Sequence, residues 1–200
     1  MTLTPDQIIE RLDRQPDDLP PIRGDHDLNP GMTQSRTLTP AAVLVGLVNR
    51  PSGLAVLLTQ RTDHLHHHPG QISFPGGHKD DVDETAEDTA LRETEEEVGL
   101  HRRHIEPIGR LGEYVTRTGF SITPVVAIIT PPFDVRPDSF EVEEVFEVPL
   151  SFLLDPANHQ RHRRDIRGKM REFHAMPYGD YYIWGATAGM LINLYEVLHR

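Results

Sequence analysis

The sequence predicts an α/β protein in which a mixed β-sheet lies between helices. Three observations carry that class. Two runs rich in Val and Leu, AAVLVGLV (41–48) and GLAVLLTQR (53–61), are separated by the turn-forming NRPSG, the pattern of two antiparallel strands. A helical period follows over 84–98 and stops at Gly99, where a helix C-terminal glycine belongs. More strand-like runs then lead to a last helix, in which Leu191, Leu194, Tyr195 and Leu198 recur at helical spacing.

Taken in order, TPDQIIERL near the start reads as a short helix opened by Thr4 and Pro5, with Ile8, Ile9 and Leu12 on one side. QPDDLPPIRGDHDLNPG then has the Pro, Gly and Asp content of an irregular wrap. Residues 1–37 are therefore expected to be a helix with an irregular extension, and 38–200 one domain. After the glycine stop, IEPIGRLGEYV and SITPVVAIIT (121–130) supply strand candidates, and EVFEVPLSFLLD reads as a strand entering a short helix. KMREFHAMPYGDYYIWG reads as a hairpin before the last helix.

A chain of 200 residues that is 37% hydrophobic can bury one good core. Its formal net charge of −11 argues against nucleic acid and anionic membranes as partners and leaves small substrates open. The absence of Cys excludes disulfides, thiolate nucleophiles and Cys-ligated zinc. MTLTPDQIIERLDRQ has no apolar core, and no apolar run in the chain approaches membrane-spanning length. A cytoplasmic location is the expectation.

The chemistry concentrates in LRETEEEVG (91–99). At about 100° per residue, Glu93, Glu96 and Glu97 share one stripe beside the mostly apolar Ala90, Leu91, Thr94 and Val98, while Glu95 points elsewhere. Crowded like charges repel, so either the stripe is a solvated acidic face or something positive sits among the carboxylates. Three oxygen ligands suit a hard cation such as Mg²⁺ or Mn²⁺. Just upstream, FPGGHKDDVDE supplies a Pro-Gly-Gly turn that lets backbone approach a ligand closely.

Together, the glycine turn, the loop and RETEEEVGL resemble the signature of the Nudix hydrolases, G-x5-E-x7-R-E-U-x-E-E-x-G-U, with U aliphatic. Arg92, Glu93, Glu96, Glu97, Gly99 and Leu100 match it; Thr94 replaces the usual aliphatic residue, and six residues instead of five separate Gly77 from Glu84. LLTQRTDHLHHHPGQISFPGG (57–77) resembles the LLTxR-x4-R-x3-G-x3-FPGG pattern of the coenzyme A diphosphatase branch, with His66 where that branch usually has Arg. VPLSFLLDP and YYIWGATAGML are similar to that branch as well.

The resemblance implies a Nudix α/β/α sandwich and metal-dependent cleavage of coenzyme A or acyl-coenzyme A to 3′,5′-ADP and (acyl-)4′-phosphopantetheine, and homodimers are common in the family. It makes Arg92, Glu93, Glu96 and Glu97 the catalytic set. Glu93 and Glu97 are the first metal ligands for Mg²⁺ or Mn²⁺, and Glu96 is a further ligand or the base. Arg92 orients the carboxylates, and the backbone at Gly76 and Gly77 can offer a carbonyl. Arg61, His66, Gly76, Gly77 and Lys79 are the substrate-contact candidates, with ordinary solvated basic residues as the alternative for Arg61 and Lys79. HLHHHP has four histidines in one short stretch without a distant partner set, which suits a phosphate-contacting or solvated loop better than zinc. HQRHRRDIRGKMREFH is a basic cluster in an acidic chain; it reads as a solvated hairpin or as an attractor for a 3′-phosphate. SFEVEEVFE can lend Glu141 or Glu144 to the metal, or is an acidic strand entry. ADP-ribose, nucleotide sugars or other nucleoside diphosphate derivatives are the alternative substrates, because the acidic box addresses only diphosphate and metal. A noncatalytic nucleotide-binding module is the alternative from another class.

Overall fold

The computed structural model describes residues 3–14, 23–32, 37–65, 69–166 and 168–199. In chain order the elements are α1 (Pro5–Asp13), β1 (Arg23–Gly24), β2 (Thr39–Arg50), β3 (Gly53–Arg61), β4 (Ile72–Ser73), β5 (Gly76–His78), α2 (Ala86–Val98), β6 (Ile105–Arg110), β7 (Tyr114–Val115), β8 (Phe120–Ile129), β9 (Val142–Pro149), α3 (Leu150–Leu153), β10 (Gln160–Ile166), β11 (Lys169–Tyr178), β12 (Tyr181–Trp184) and α4 (Ala186–Leu198). The expected strand pair at 41–48 and 53–61 is β2 and β3, antiparallel about the NRPSG turn.

The large sheet runs β1-β7-β8-β2-β3-β4, with β5 also on β2, β6 on β8 and β9 on β3. It is mixed: β2 and β8 run parallel from Thr39↔Phe120 to Val48↔Ile129, while β2–β3, β3–β9 and β6–β8 are antiparallel. Alternate residues of the central strands serve different layers. Ala42, Leu44, Val48, Leu57, Val125, Ala127 and Ile129 pack with Ala90 and Val98 of α2. Val45, Leu47, Val56, Leu58, Val126 and Ile128 pack with Leu191, Leu194 and Leu198 of α4. Burial on both faces explains why these strands read as continuous apolar runs instead of alternating ones. The result is the expected sandwich, with helices on either side of a mixed sheet.

Local chemistry sets the helix ends. Thr85 caps α2 in a reciprocal pair with Asp88, and Gly99 closes it at φ 68°, a left-handed conformation that glycine adopts without a Cβ penalty. The helix therefore starts two residues after the expected 84. Thr4 and Gln7 cap α1 in the same reciprocal way, and Leu3, Ile8 and Leu12 join the core beside α4. The described part of the N-terminal extension is thus packed on the same core as the rest, and β1 adds to the large sheet alongside β7. β10, β11 and β12 form a separate three-stranded antiparallel sheet. No helix of the described residues is long and apolar enough to cross a membrane.

Candidate active site

Gly76 and Gly77, expected in a turn, instead open the short strand β5, which pairs with β2, and α2 packs against it. A Cβ on Gly77 would stand 2.5 Å from the Glu93 carboxyl carbon, so any other residue there would push that carboxylate aside. Gly76 has φ +152°, a Cβ there would meet the Ala42 carbonyl at 2.4 Å, and its N–H donates to Glu97 Oε2 at 3.1 Å. β5 thus holds one carboxylate by a hydrogen bond and packs on the other.

Arg92 organises the rest. Its Nη1 donates to Glu93 Oε1 at 2.9 Å and to Glu96 Oε2 at 3.1 Å. Its Nε and Nη2 donate to the two oxygens of Asp83 at 3.1 and 2.9 Å, and Nη2 also reaches the His78 carbonyl at 3.0 Å. Asp83 is buried and accepts further bonds from Asp80 N–H and Thr89 O–H. The Arg92 guanidinium, with these donors, holds the Asp83 carboxyl well below the usual carboxylate range. Every edge of the guanidinium is occupied, which makes Arg92 a positioning residue.

Asp83 was not singled out from the sequence, although a signal for it exists. Five residues separate it from Gly77, the G-x5 spacing of the signature, with the extra residue falling between it and Arg92. Glu84, separated from Gly77 by six residues in the longer loop, is exposed and offers its carbonyl to Lys79 Nζ. Thr94, the other departure, is fully buried and donates to the Ala90 carbonyl at 2.6 Å. Its hydroxyl is satisfied within the helix, so it serves as a core residue.

The carboxylates differ in environment. Glu97 is 8% exposed. Burial pushes its pKa up to about 7; the Gly76 N–H opposes this, while the charges of Glu141 and Glu93 add to it. Glu93 is also raised, first by burial, against the pull of Arg92, with Glu96 and Glu141 contributing. Glu96 is exposed. Glu95 points away, as expected, and takes the Arg102 N–H and guanidinium. Of the two downstream candidates, Glu141 enters the site, with Arg61 Nη2 4.0 Å from it and Nη1 3.8 Å from Glu97. Glu144 instead accepts from the Tyr181 hydroxyl at 2.9 Å.

Among the described residues, no three His, Asp or Glu side chains stand close enough to enclose an ion as they are. The donor set nevertheless suits a hard divalent cation. Glu93, Glu97 and Glu141 repel one another across a partly dry space beside which, among the described residues, Arg61 is the cation not already saturated by carboxylates, and oxygen donors with excess negative charge are what Mg²⁺ and Mn²⁺ select.

Beside Arg61 and Gly76 lies a cavity of about 710 Å³. Val43, Phe74, Phe120 and Ile122 line it from the main sheet, and Arg164, Arg171, Phe173 and Trp184 from the small one, with Arg117 from the β7–β8 loop. Of the substrate-contact candidates, Arg61 and Gly76 border this cavity and Gly77 lies against Glu93. Lys79, just after β5, is exposed and does not line the cavity. His66, with His67 and His68, lies outside the described residues.

A glycine-bearing strand laid over a carboxylate-bearing helix is an arrangement that can bring a divalent cation and a phosphoanhydride together. The NUDIX domain family matches residues 37–168. The Escherichia coli K12 protein named Uncharacterized Nudix hydrolase NudL is 44% identical over 156 residues, covering 77% of this chain and 80% of that protein. A NudL protein of Shigella boydii serotype 18 is 43% identical over the same 156 residues, with the same coverage. Among solved structures, the NUDIX domain of Shewanella oneidensis NrtR, complexed with ADP ribose, is similar in fold at a TM-score of 0.50 and 20% identity, over 82% of this chain and 88% of that one. The Nudix hydrolase RenU of M. smegmatis gives a TM-score of 0.49 at 27% identity, over 56% of this chain and 71% of that one. The chain belongs to the Nudix hydrolase family, whose members hydrolyse the diphosphate linkage of small nucleoside diphosphate derivatives and generally use Mg²⁺ or Mn²⁺.

Proposed function

We propose that the protein is a coenzyme A diphosphatase, cleaving coenzyme A or acyl-coenzyme A to 3′,5′-ADP and (acyl-)4′-phosphopantetheine. One observation supports this choice among diphosphates. The 57–77 stretch that resembles the coenzyme A branch supplies one end of the cavity, through Arg61, Gln71, Ile72, Ser73, Phe74 and Gly76. At about 710 Å³ the cavity is in the upper part of the roughly 300–1,000 Å³ range of ligand pockets, and so suits a substrate that extends well beyond a diphosphate.

Glu93 and Glu97 would hold the divalent cation, with Glu96 and Glu141 as further oxygen donors. When bound, Mg²⁺ or Mn²⁺ neutralises charge on the phosphate oxygens, which otherwise repel the attacking water. The protein's own groups prepare that site. Arg92 fixes Glu93 and Glu96, the Gly76 N–H fixes Glu97, and the Arg61 guanidinium stands at the cavity edge, where it can meet an arriving phosphate oxygen. Glu96 and Glu141, with side chains 63% and 42% exposed, are the alternatives for the base: the one that does not hold the metal can take a proton from water and pass it to solvent.

The test is product identity. Coenzyme A incubated with the protein and Mg²⁺ should give 3′,5′-ADP and 4′-phosphopantetheine on chromatography, and none after chelation. Intact coenzyme A under conditions in which ADP-ribose or a nucleotide sugar is cleaved would transfer the assignment to that substrate class.

A further inference from the structure

The wall of the cavity formed by the small sheet carries charge that diphosphate cleavage does not use. Arg164 and Arg171 are directly opposite each other in the β10–β11 ladder, and both line the cavity together with Arg117. Like charges paired in this way destabilise an antiparallel ladder. Among the described residues, none of the three forms an ion pair, whereas the neighbouring Arg163 takes Glu172.

The acids that also line the cavity are hydrogen-bonded, and Glu172 is ion-paired with Arg163. Asp25 accepts from the Tyr114 hydroxyl at 3.0 Å and from the Arg117 backbone N–H at 2.8 Å. Asp165 accepts from Gly168 N–H at 2.7 Å, and Glu172 from Arg163 Nε at 2.6 Å. Arg117, Arg164 and Arg171 therefore line one pocket without an ion-pair partner among the described residues, in a chain of net charge −11, next to the Phe173 and Trp184 rings, which meet edge to face at 5.2 Å.

We infer that Arg164 and Arg171, with Arg117 from the β7–β8 loop, bind a phosphate monoester of the substrate that is separate from the diphosphate addressed by α2. Guanidinium forks match phosphate oxygens in pairs, and a dianion between the two strands removes the repulsion of the Arg164–Arg171 pair. Phe173 and Trp184 offer the nucleoside bearing that phosphate an aromatic surface. The inference rests on reading the cavity as the substrate pocket; with coenzyme A the group would be its 3′-phosphate.

The experiment compares the wild type with the Arg164→Gln/Arg171→Gln double variant in two ways. Binding of adenosine 3′,5′-bisphosphate and adenosine 5′-monophosphate is measured by calorimetry, and kcat/KM is measured for coenzyme A and dephospho-coenzyme A. The wild type should bind the bisphosphate at least about 10-fold more tightly, the effect of one or two charge-assisted contacts, and the double variant should lose that preference. The ratio of kcat/KM for coenzyme A over dephospho-coenzyme A should collapse by a similar factor. Equal binding of both nucleotides by the wild type, or an unchanged preference in the variant, overturns the assignment. If the enzyme turns over ADP-ribose and not coenzyme A, the coenzyme A reading fails, and the binding preference alone decides this one. Melting of the variant checks its fold, and Arg171→Gln alone is read by the same two ratios if the double variant does not fold.

Discussion

Replacing Glu97 by Gln should strengthen the metal-free protein while crippling the enzyme. Glu97 is almost fully buried, and its pKa stands at about 7 against an ordinary 4.5. At about 1.4 kcal/mol per pH unit, that rise is worth about 3 kcal/mol. The folded state holds the proton more tightly than the unfolded one. Its contribution to stability is therefore complete below the ordinary glutamate pKa and is lost as pH rises through about 7. At pH 8 without metal, the ionised group is a net cost. A glutamine of the same shape keeps an oxygen for the Gly76 N–H and removes the charge that Glu93 and Glu141 oppose, while giving up the 3.8 Å approach to Arg61. The expected gain in urea denaturation with chelator is about 1–3 kcal/mol at pH 8 and close to nothing at pH 5. With Mg²⁺ the same variant should lose at least about 10²-fold in kcat, since a ligand at the charge-stabilising centre is gone. Equal stability effects at both pH values, or wild-type turnover, would refute the reasoning.

Other expectations follow from single contacts. Chelation should abolish turnover, with Mg²⁺ or Mn²⁺ restoring it and Ca²⁺ doing so poorly, because Ca²⁺ lacks the tight octahedral preference of Mg²⁺; full activity after exhaustive chelation contradicts this. Asp83→Asn should cost about 2–4 kcal/mol in urea denaturation, because it leaves Arg92 without its buried partner. The loss should be present above the usual carboxylate pKa and fade as pH falls below it, since the wild-type group is depressed. Glu84→Gln should stay within about 0.5 kcal/mol, which separates the two neighbouring carboxylates directly. Gly77→Ala forces the Glu93 carboxylate aside and should lower kcat at least about 10-fold with an unchanged circular dichroism spectrum; normal kcat would mean that Glu93 tolerates the shift.

The strands β2 and β3 and the helix α2 were legible because each announces itself locally, through a turn, a cap or a period. The small sheet was legible as two hairpins, the basic HQRHRRDIRGKMREFH stretch and the one with the YGD turn, although Gln160–Ile166 has no apolar alternation of its own and takes its order from the ladder to β11. The parallel alignment of β2 with β8 and the two-residue pairing of β1 with β7 are long-range choices that no short stretch encodes. In the site, Glu93, Glu96 and Glu97 were readable from helical spacing, whereas the choice of Asp83 over Glu84 depends on which side chain the loop turns toward Arg92. The separation of Glu141 from Glu144 likewise depends on β9: one residue precedes its first strand position, and the other lies within it. Arg164 and Arg171 belonged to a basic cluster in the sequence, and only the β10–β11 register shows which members face each other.

The central claim is a coenzyme A diphosphatase built on a Nudix site, and internal competition tests it most directly. Coenzyme A and ADP-ribose at equal concentration share one vessel with the enzyme and Mg²⁺, and chromatography follows the loss of each, so that the ratio of initial rates is the ratio of kcat/KM. Coenzyme A should disappear at least about 10-fold faster, the effect expected of one additional charge-assisted contact, with 3′,5′-ADP and 4′-phosphopantetheine accumulating together. Faster loss of ADP-ribose would contradict the account.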